Sequence, residues 1–200
     1  MSTQIKDLAN IYRKFLPEKG WFVDVGAYDG VKYSNTKMLA DNGWNGLCIE
    51  PLYHDRCMQA HKNNVIVEHC AVGATSGEVD IYIGEAISTT SENMYRLFQK
   101  KGWIGNVPKK TVRQETLESL LVKHNIPIGF ELLDIDVEGS EWEVLGNFPI
   151  QKWMPQMVII ELHDNNPGYD NDFDADIIDY FDRFYRIVWK DLTNTIYVLK

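Results

Sequence analysis

The chain is poor in cysteine and in basic charge, and it has no long apolar run. It holds 3 cysteines in 200 residues, Cys48, Cys57 and Cys70. The number is odd, none makes a C-x-x-C pair, and Cys48 and Cys70 fall inside apolar runs. These features argue against a disulfide framework and read as reduced structural thiols. No apolar stretch approaches the roughly 18 residues that a membrane-spanning helix needs. Residues 1–19 are polar and lack the apolar segment of a secretory signal, and no Asn-x-Ser/Thr sequon occurs. A soluble, cytoplasmic protein is the expectation. Lys and Arg number 20 against 29 Asp and Glu, a net charge of −9. Lys100-Lys101 and Lys109-Lys110 are the only basic doublets near each other. Neither nucleic acid nor an anionic membrane surface is therefore an expected partner.

What is present is an alternation of strand-like and helix-like segments, with a hydrophobic share of 44%. That suits one domain with a sizeable core across residues 1–200. Residues 1–20 read as a leading segment, with a helix over 4–16. Strands are expected at 21–25, 47–50, 65–72, 130–137 and 157–162. Helices fall between them at 35–42, 51–62, 115–124 and 140–145, the pattern of a parallel sheet with crossover helices. Residues 78–84 read as an edge strand and 111–114 as a short one. Residues 85–110 read as an insertion near the substrate site, ordered or flexible. Its aromatics Tyr95, Phe98 and Trp103 either stack on a sugar or pin the loop. Asp170, Asp172, Asp174 and Asp176 fail as an EF-hand, because Ala175 and Phe181 stand at its sixth and twelfth positions. They read as a solvated loop in which Asp174 caps a helix over 174–182. Two β-rich runs, 185–189 and 195–199, close the sheet as an antiparallel hairpin. The expected fold class is α/β, Rossmann-like, with a mostly parallel seven-stranded sheet and helices on both faces.

The most informative stretch is Phe22-Val23-Asp24-Val25-Gly26-Ala27-Tyr28-Asp29-Gly30. Gly26 and Gly30 let the backbone approach a ligand. Glu50, ending the next strand, is placed to bond both ribose hydroxyls. The spacing is not G-x-G-x-x-G. It matches D-x-G-x-G-x-G with the middle glycine replaced, the form of an S-adenosylmethionine (SAM) pocket, which has no pyrophosphate to cradle. Cys70-Ala71 ends the third strand, where a small residue lets adenine lie flat. Tyr28 lies against the ligand or packs the turn. Ala27 and Pro51 complete the expected cofactor wall.

Asp134-Ile135-Asp136-Val137-Glu138-Gly139-Ser140-Glu141 carries acids at alternate positions, which share one side of a strand. Buried carboxylates at a strand end need a ligand, a cation or backbone donors. This block resembles the FkbM family of SAM-dependent methyltransferases. So do Asp24-Val25-Gly26-Ala27-Tyr28-x-Gly30, Glu50-Pro51, Ala71-Val72-Gly73 and Ile159-Ile160-Glu161-Leu162-His163. The resemblance covers residues 20–165. Asp134 departs from the family pattern, in which many members carry Lys.

The resemblance implies a class I methyltransferase fold and O-methylation of a hydroxyl on a carbohydrate or small metabolite. It assigns Asp24, Gly26, Glu50 and Ala71 to SAM, with Asp136 facing the methionine part and the acceptor. Methyl transfer requires acceptor oxygen, methyl carbon and sulfur in line, and a free hydroxyl needs a base or a metal. Asp136, Glu138 and His163 are the candidate catalytic set; an imidazole at 163 titrates near neutral pH. Two alternatives stand beside this. One is a divalent cation on Asp136, Glu161 and His163, serving a diol-like acceptor. The other is a catalytically silent SAM-binding scaffold subunit. An NAD(P) oxidoreductase fails at the glycine spacing.

Overall fold

Strands that are apolar at nearly every position belong in a parallel sheet covered on both faces, and the chain folds that way. A computed structural model describes residues 3–162 and 174–200. The strands are β1 (Trp21–Val25), β2 (Asn45–Ile49), β3 (Val65–Glu68), β4 (Ala71–Val72), β5 (Gly77–Tyr82), β6 (Lys109–Glu115), β7 (Leu132–Ile135), β8 (Met157–Glu161), β9 (Tyr185–Lys190) and β10 (Asn194–Leu199). The helices are α1 (Leu8–Phe15), α2 (Lys37–Asp41), α3 (His54–Ala60), α4 (Glu92–Lys100), α5 (Leu117–Lys123), α6 (Glu141–Leu145), α7 (Ile150–Trp153) and α8 (Asp174–Asp182).

Among the described residues, seven strands form one sheet in the order β3-β2-β1-β7-β8-β10-β9. The first five are parallel, and β10 pairs antiparallel with β8 and β9. The expected Rossmann-like fold with a C-terminal hairpin is thus present. The order reverses at β1, and α/β sheets bind ligands at the carboxyl ends beside such a switch.

Alternation along each strand sorts the two covered faces. Val23, Val25, Leu47, Leu133 and Ile135 pack with α5, α6 and α8. Phe22, Cys48, Leu132 and Ile159 pack with α1 and α2. Asp24 is register partner of both Cys48 and Asp134, so two acids and a thiol form one row across three strands. Among the described residues no helix is long and apolar enough to cross a membrane.

Two sequence expectations need correction. The strand expected over 65–72 breaks after Glu68. β4 leaves the main sheet and pairs in parallel with β6, while the expected edge strand, β5, pairs with β6 from the other side. Glu68 marks the break, where Arg113, Lys123 and His124 converge on its carboxylate. Burial of that carboxyl is outweighed by these three partners, which hold it down to about 2. The insertion takes the ordered form of the two expected, around α4, capped by Ser91, whose hydroxyl accepts the Met94 amide. The leading helix is shorter than expected and starts at Leu8.

Candidate active site

The turn after β1 gathers left-handed residues, with φ of 93° at Gly26, 48° at Tyr28 and 73° at Gly30. Gly26 has a second constraint, since a Cβ there would fall 1.8 Å from the Asp136 carbonyl oxygen. The turn can lie this close to the end of β7 only without a side chain. Glu50 fixes the turn from the neighbouring strand. Its Oε2 accepts the Tyr28 amide at 2.9 Å, and its Oε1 accepts those of Leu52 and Tyr53 at 2.6 and 2.9 Å. Burial nonetheless raises its pKa against these donors. The expected ribose acid is therefore held rigidly by main chain.

Two cavities open at this edge of the sheet. Glu50, Pro51, Cys70 and Ala71 line the first, together with Leu52 and Tyr53. Asp24, Ala27, Asn35, Asp134 and Glu138 line the second. Gly26, Tyr28, Ala86 and Asp136 line both. The Glu85–Ile87 turn borders the two cavities, and the Tyr28 hydroxyl donates to Glu85 at 2.8 Å. The structure thus brings Asp24, Gly26, Ala27, Tyr28, Glu50, Pro51, Cys70, Ala71, Asp136 and Glu138 to one edge. Gly30 lines neither cavity and serves the turn. His163 lies outside the described residues, as do the acidic positions 170 and 172. Tyr95 stacks on Tyr82 with centroids 3.9 Å apart, Phe98 is buried, and Trp103 packs on Phe98. These aromatics pin the insertion and line neither cavity.

The second cavity is strongly acidic. Asp24 accepts the Thr36 hydroxyl at 2.5 Å. Burial pushes Asp24 up to about 7, against that hydrogen bond and with the charges of Asp136 and Glu50 adding to it. Asp134 is raised by burial and by Asp24 and Asp136, although Asn35 donates to it at 3.3 Å. Glu138 is half-buried and raised by its surroundings, then by Glu161, Asp136 and Glu141. Its backbone is left-handed, φ 55°, and Gly139 follows at 94°. Glu141 is buried and accepts the Gly139 amide at 3.0 Å, and burial carries it up to about 8. One carboxylate oxygen from each of Asp136, Glu138 and Glu161 lies within 4.8 Å of the other two.

Sequence reasoning missed several residues here. Gln4 Nε2 donates to Asp136 at 2.7 Å from 132 residues away, a contact that no local pattern signals. Asn35 and Thr36 have a visible signal, because they precede a helix where Asn and Thr are common, yet here they bond Asp134 and Asp24. Thr89 and Thr90 reach the turn at 138–140 from the insertion.

The methyltransferase FkbM domain family matches residues 24–187. The chain belongs to this family. The match takes in the glycine turn and both acidic strand ends, and it ends inside β9. No curated protein matches the chain.

Proposed function

We propose that this FkbM domain transfers a methyl group from SAM to a hydroxyl of a carbohydrate or small metabolite. The observation that carries this is the junction of the two cavities, where Gly26, Tyr28 and Asp136 belong to both. The first cavity suits adenosine. Glu50 offers its remaining lone pairs to ribose, and Cys70 and Ala71 leave a flat wall for a base. The second suits the methionine part and the acceptor. SAM in that position supplies an electrophilic methyl carbon on a positively charged sulfur.

The chain's own residues do the rest. Tyr28 and Asp136 orient the groups that meet at the junction. Glu138 takes the hydroxyl proton on a carboxylate oxygen, and its raised pKa makes it the stronger base once ionised. The Glu85–Ile87 turn limits water. His163, directly after Leu162 in the chain, is the third residue of the proposed catalytic set. The test is transfer of labelled methyl from SAM to a panel of sugars and polyols. Glu138→Gln is expected to lower turnover by about 100-fold or more, with SAM affinity kept. Full turnover in Asp136→Asn, Glu138→Gln and His163→Ala alike would remove this assignment.

The grouping of Asp136, Glu138 and Glu161 favours a second reading, a divalent cation polarising a diol-like acceptor. Turnover that survives a chelator ends it.

A further inference from the structure

Away from both cavities, on the sheet face that packs α1 and α2, three side chains with soft donor atoms converge. Cys48 lies on β2, Cys57 within α3, and His61 caps the C-terminus of α3. Cys57 and His61 stand four apart, so they share the helix face turned toward β2. Cys48 Sγ is 3.7 Å from His61 Nε2, and one donor atom from each residue lies within 4.8 Å of the others. Tetrahedral zinc, with bonds of about 2.3 Å to sulfur and about 2.0 Å to nitrogen, sets its ligand atoms roughly 3.5–3.8 Å apart. The observed grouping therefore needs only small side-chain shifts to close on an ion.

The surroundings agree with this chemistry. Both cysteines are fully buried while His61 is half-buried, so the cluster reaches toward solvent on its imidazole side. Among the described residues, His61 Nδ1 has no hydrogen-bond partner. The ring thus meets the protein through Nε2, the nitrogen beside the thiols. A Cβ at Gly30 would come within 2.8 Å of His61 Nε2 and 3.2 Å of Cys57 Sγ. The glycine turn rests directly on the donor atoms.

We propose that Cys48, Cys57 and His61 bind a thiophilic divalent cation of the zinc class beneath the Gly30 turn. Two thiol protons leave to solvent as two metal–sulfur bonds form, and the imidazole binds neutral. The two thiolates cancel the ion's charge, so the buried complex is neutral and avoids the cost of an isolated ion. A water completes the coordination. Bound metal braces the turn from below, whatever the acceptor.

The test titrates reduced, metal-free protein with Co²⁺. One equivalent is expected to give a thiolate-to-cobalt band in the near ultraviolet, which zinc then displaces. Cys48→Ser and Cys57→Ser lose the band. Cys70→Ser, whose thiol packs on the other sheet face, keeps it. X-ray absorption of zinc-loaded wild-type protein needs no variant to fold, and is expected to find two sulfur neighbours at about 2.3 Å. No band in the wild type, a band that survives Cys48→Ser, or a zinc shell without sulfur overturns the proposal. Neither SAM nor acceptor is present, so failure here leaves the methyltransferase assignment standing.

Discussion

Thr89 Oγ1 donates to the backbone carbonyl of Glu138 at 2.7 Å. This pair ties the inserted segment to the turn that carries the proposed base. The same oxygen accepts the Ser91 amide at 2.9 Å, and Thr89 is fully buried. Thr89→Val keeps the shape but takes their partner from the part-buried Ser91 amide and Glu138 carbonyl. The expected cost is about 1–3 kcal/mol, read as a lower melting temperature. Turnover should fall further than SAM affinity, because the contact supports Glu138 and not Glu50. Unchanged turnover would show that the insertion does not position the turn.

Gly139→Ala is expected to destabilise for two separable reasons. A Cβ there would meet Met94 Cγ at 2.1 Å, and φ is 94°. Shortening the neighbour in Gly139→Ala/Met94→Ala relieves the collision but not the dihedral. The double variant should therefore recover less than the collision part, keeping a deficit of about 1–2 kcal/mol from the left-handed backbone plus the loss of the Met94 side chain. Denaturant unfolding of both variants measures this. A single variant as stable as wild type would contradict the turn geometry.

Glu50→Gln removes the charge while keeping the volume. Its carboxamide has one oxygen for three amide donors, and its NH2 faces one of them. SAM affinity is expected to fall by about 30-fold, the equivalent of about 2 kcal/mol for a charge-assisted bond to ribose. Equal affinities by calorimetry would mean that Glu50 is not the ribose acid.

Ligand-free stability should depend on pH in a direction set by the buried acids. Asp24 and Glu141 titrate at about 7 and about 8 in the folded protein. Both are ordinary carboxylates, near 4, in the unfolded chain. The folded state holds their protons longer, so the stabilisation is complete below about pH 4 and is lost as pH rises through 7 and 8. For Asp24 this amounts to roughly 2–4 kcal/mol by pH 8.5. Glu68, held down to about 2, acts oppositely: its stabilisation is present above about pH 4.5 and fades as pH falls toward 2. Melting temperatures should decline from pH 6 to pH 8.5, and Asp24→Asn should flatten the decline. A wild-type curve that rises over this range would contradict the charge state of the cavity.

The parallel core was legible because Phe22–Val25, Leu47–Ile49 and Met157–Ile160 are short runs of strand type, apolar except for Asp24. The glycine turn and Glu50 were legible because their chemistry is local: two glycines, one acid, one strand apart. The contacts that complete the site were not. Gln4 on Asp136 and Thr89 on Glu138 join residues far apart in sequence, and a single polar side chain leaves no periodic trace. The break at Glu68 was hidden because Val65–Val72 keeps its β-like composition across it. It became visible only through Arg113, Lys123 and His124, drawn from β6 and the end of α5. Helix α4 did leave a signal, Ser91-Glu92 followed by Met94, Leu97 and Phe98 at helical spacing, which the polar composition of the segment obscured.

The most direct measurement is calorimetric titration of the protein with SAM, S-adenosylhomocysteine and NADH. The account predicts that both adenosyl ligands bind, at one site each, and that NADH does not. Absence of adenosyl binding in folded protein would contradict it, and would leave the fold and the acidic edge without the cofactor on which the proposed methyl transfer depends.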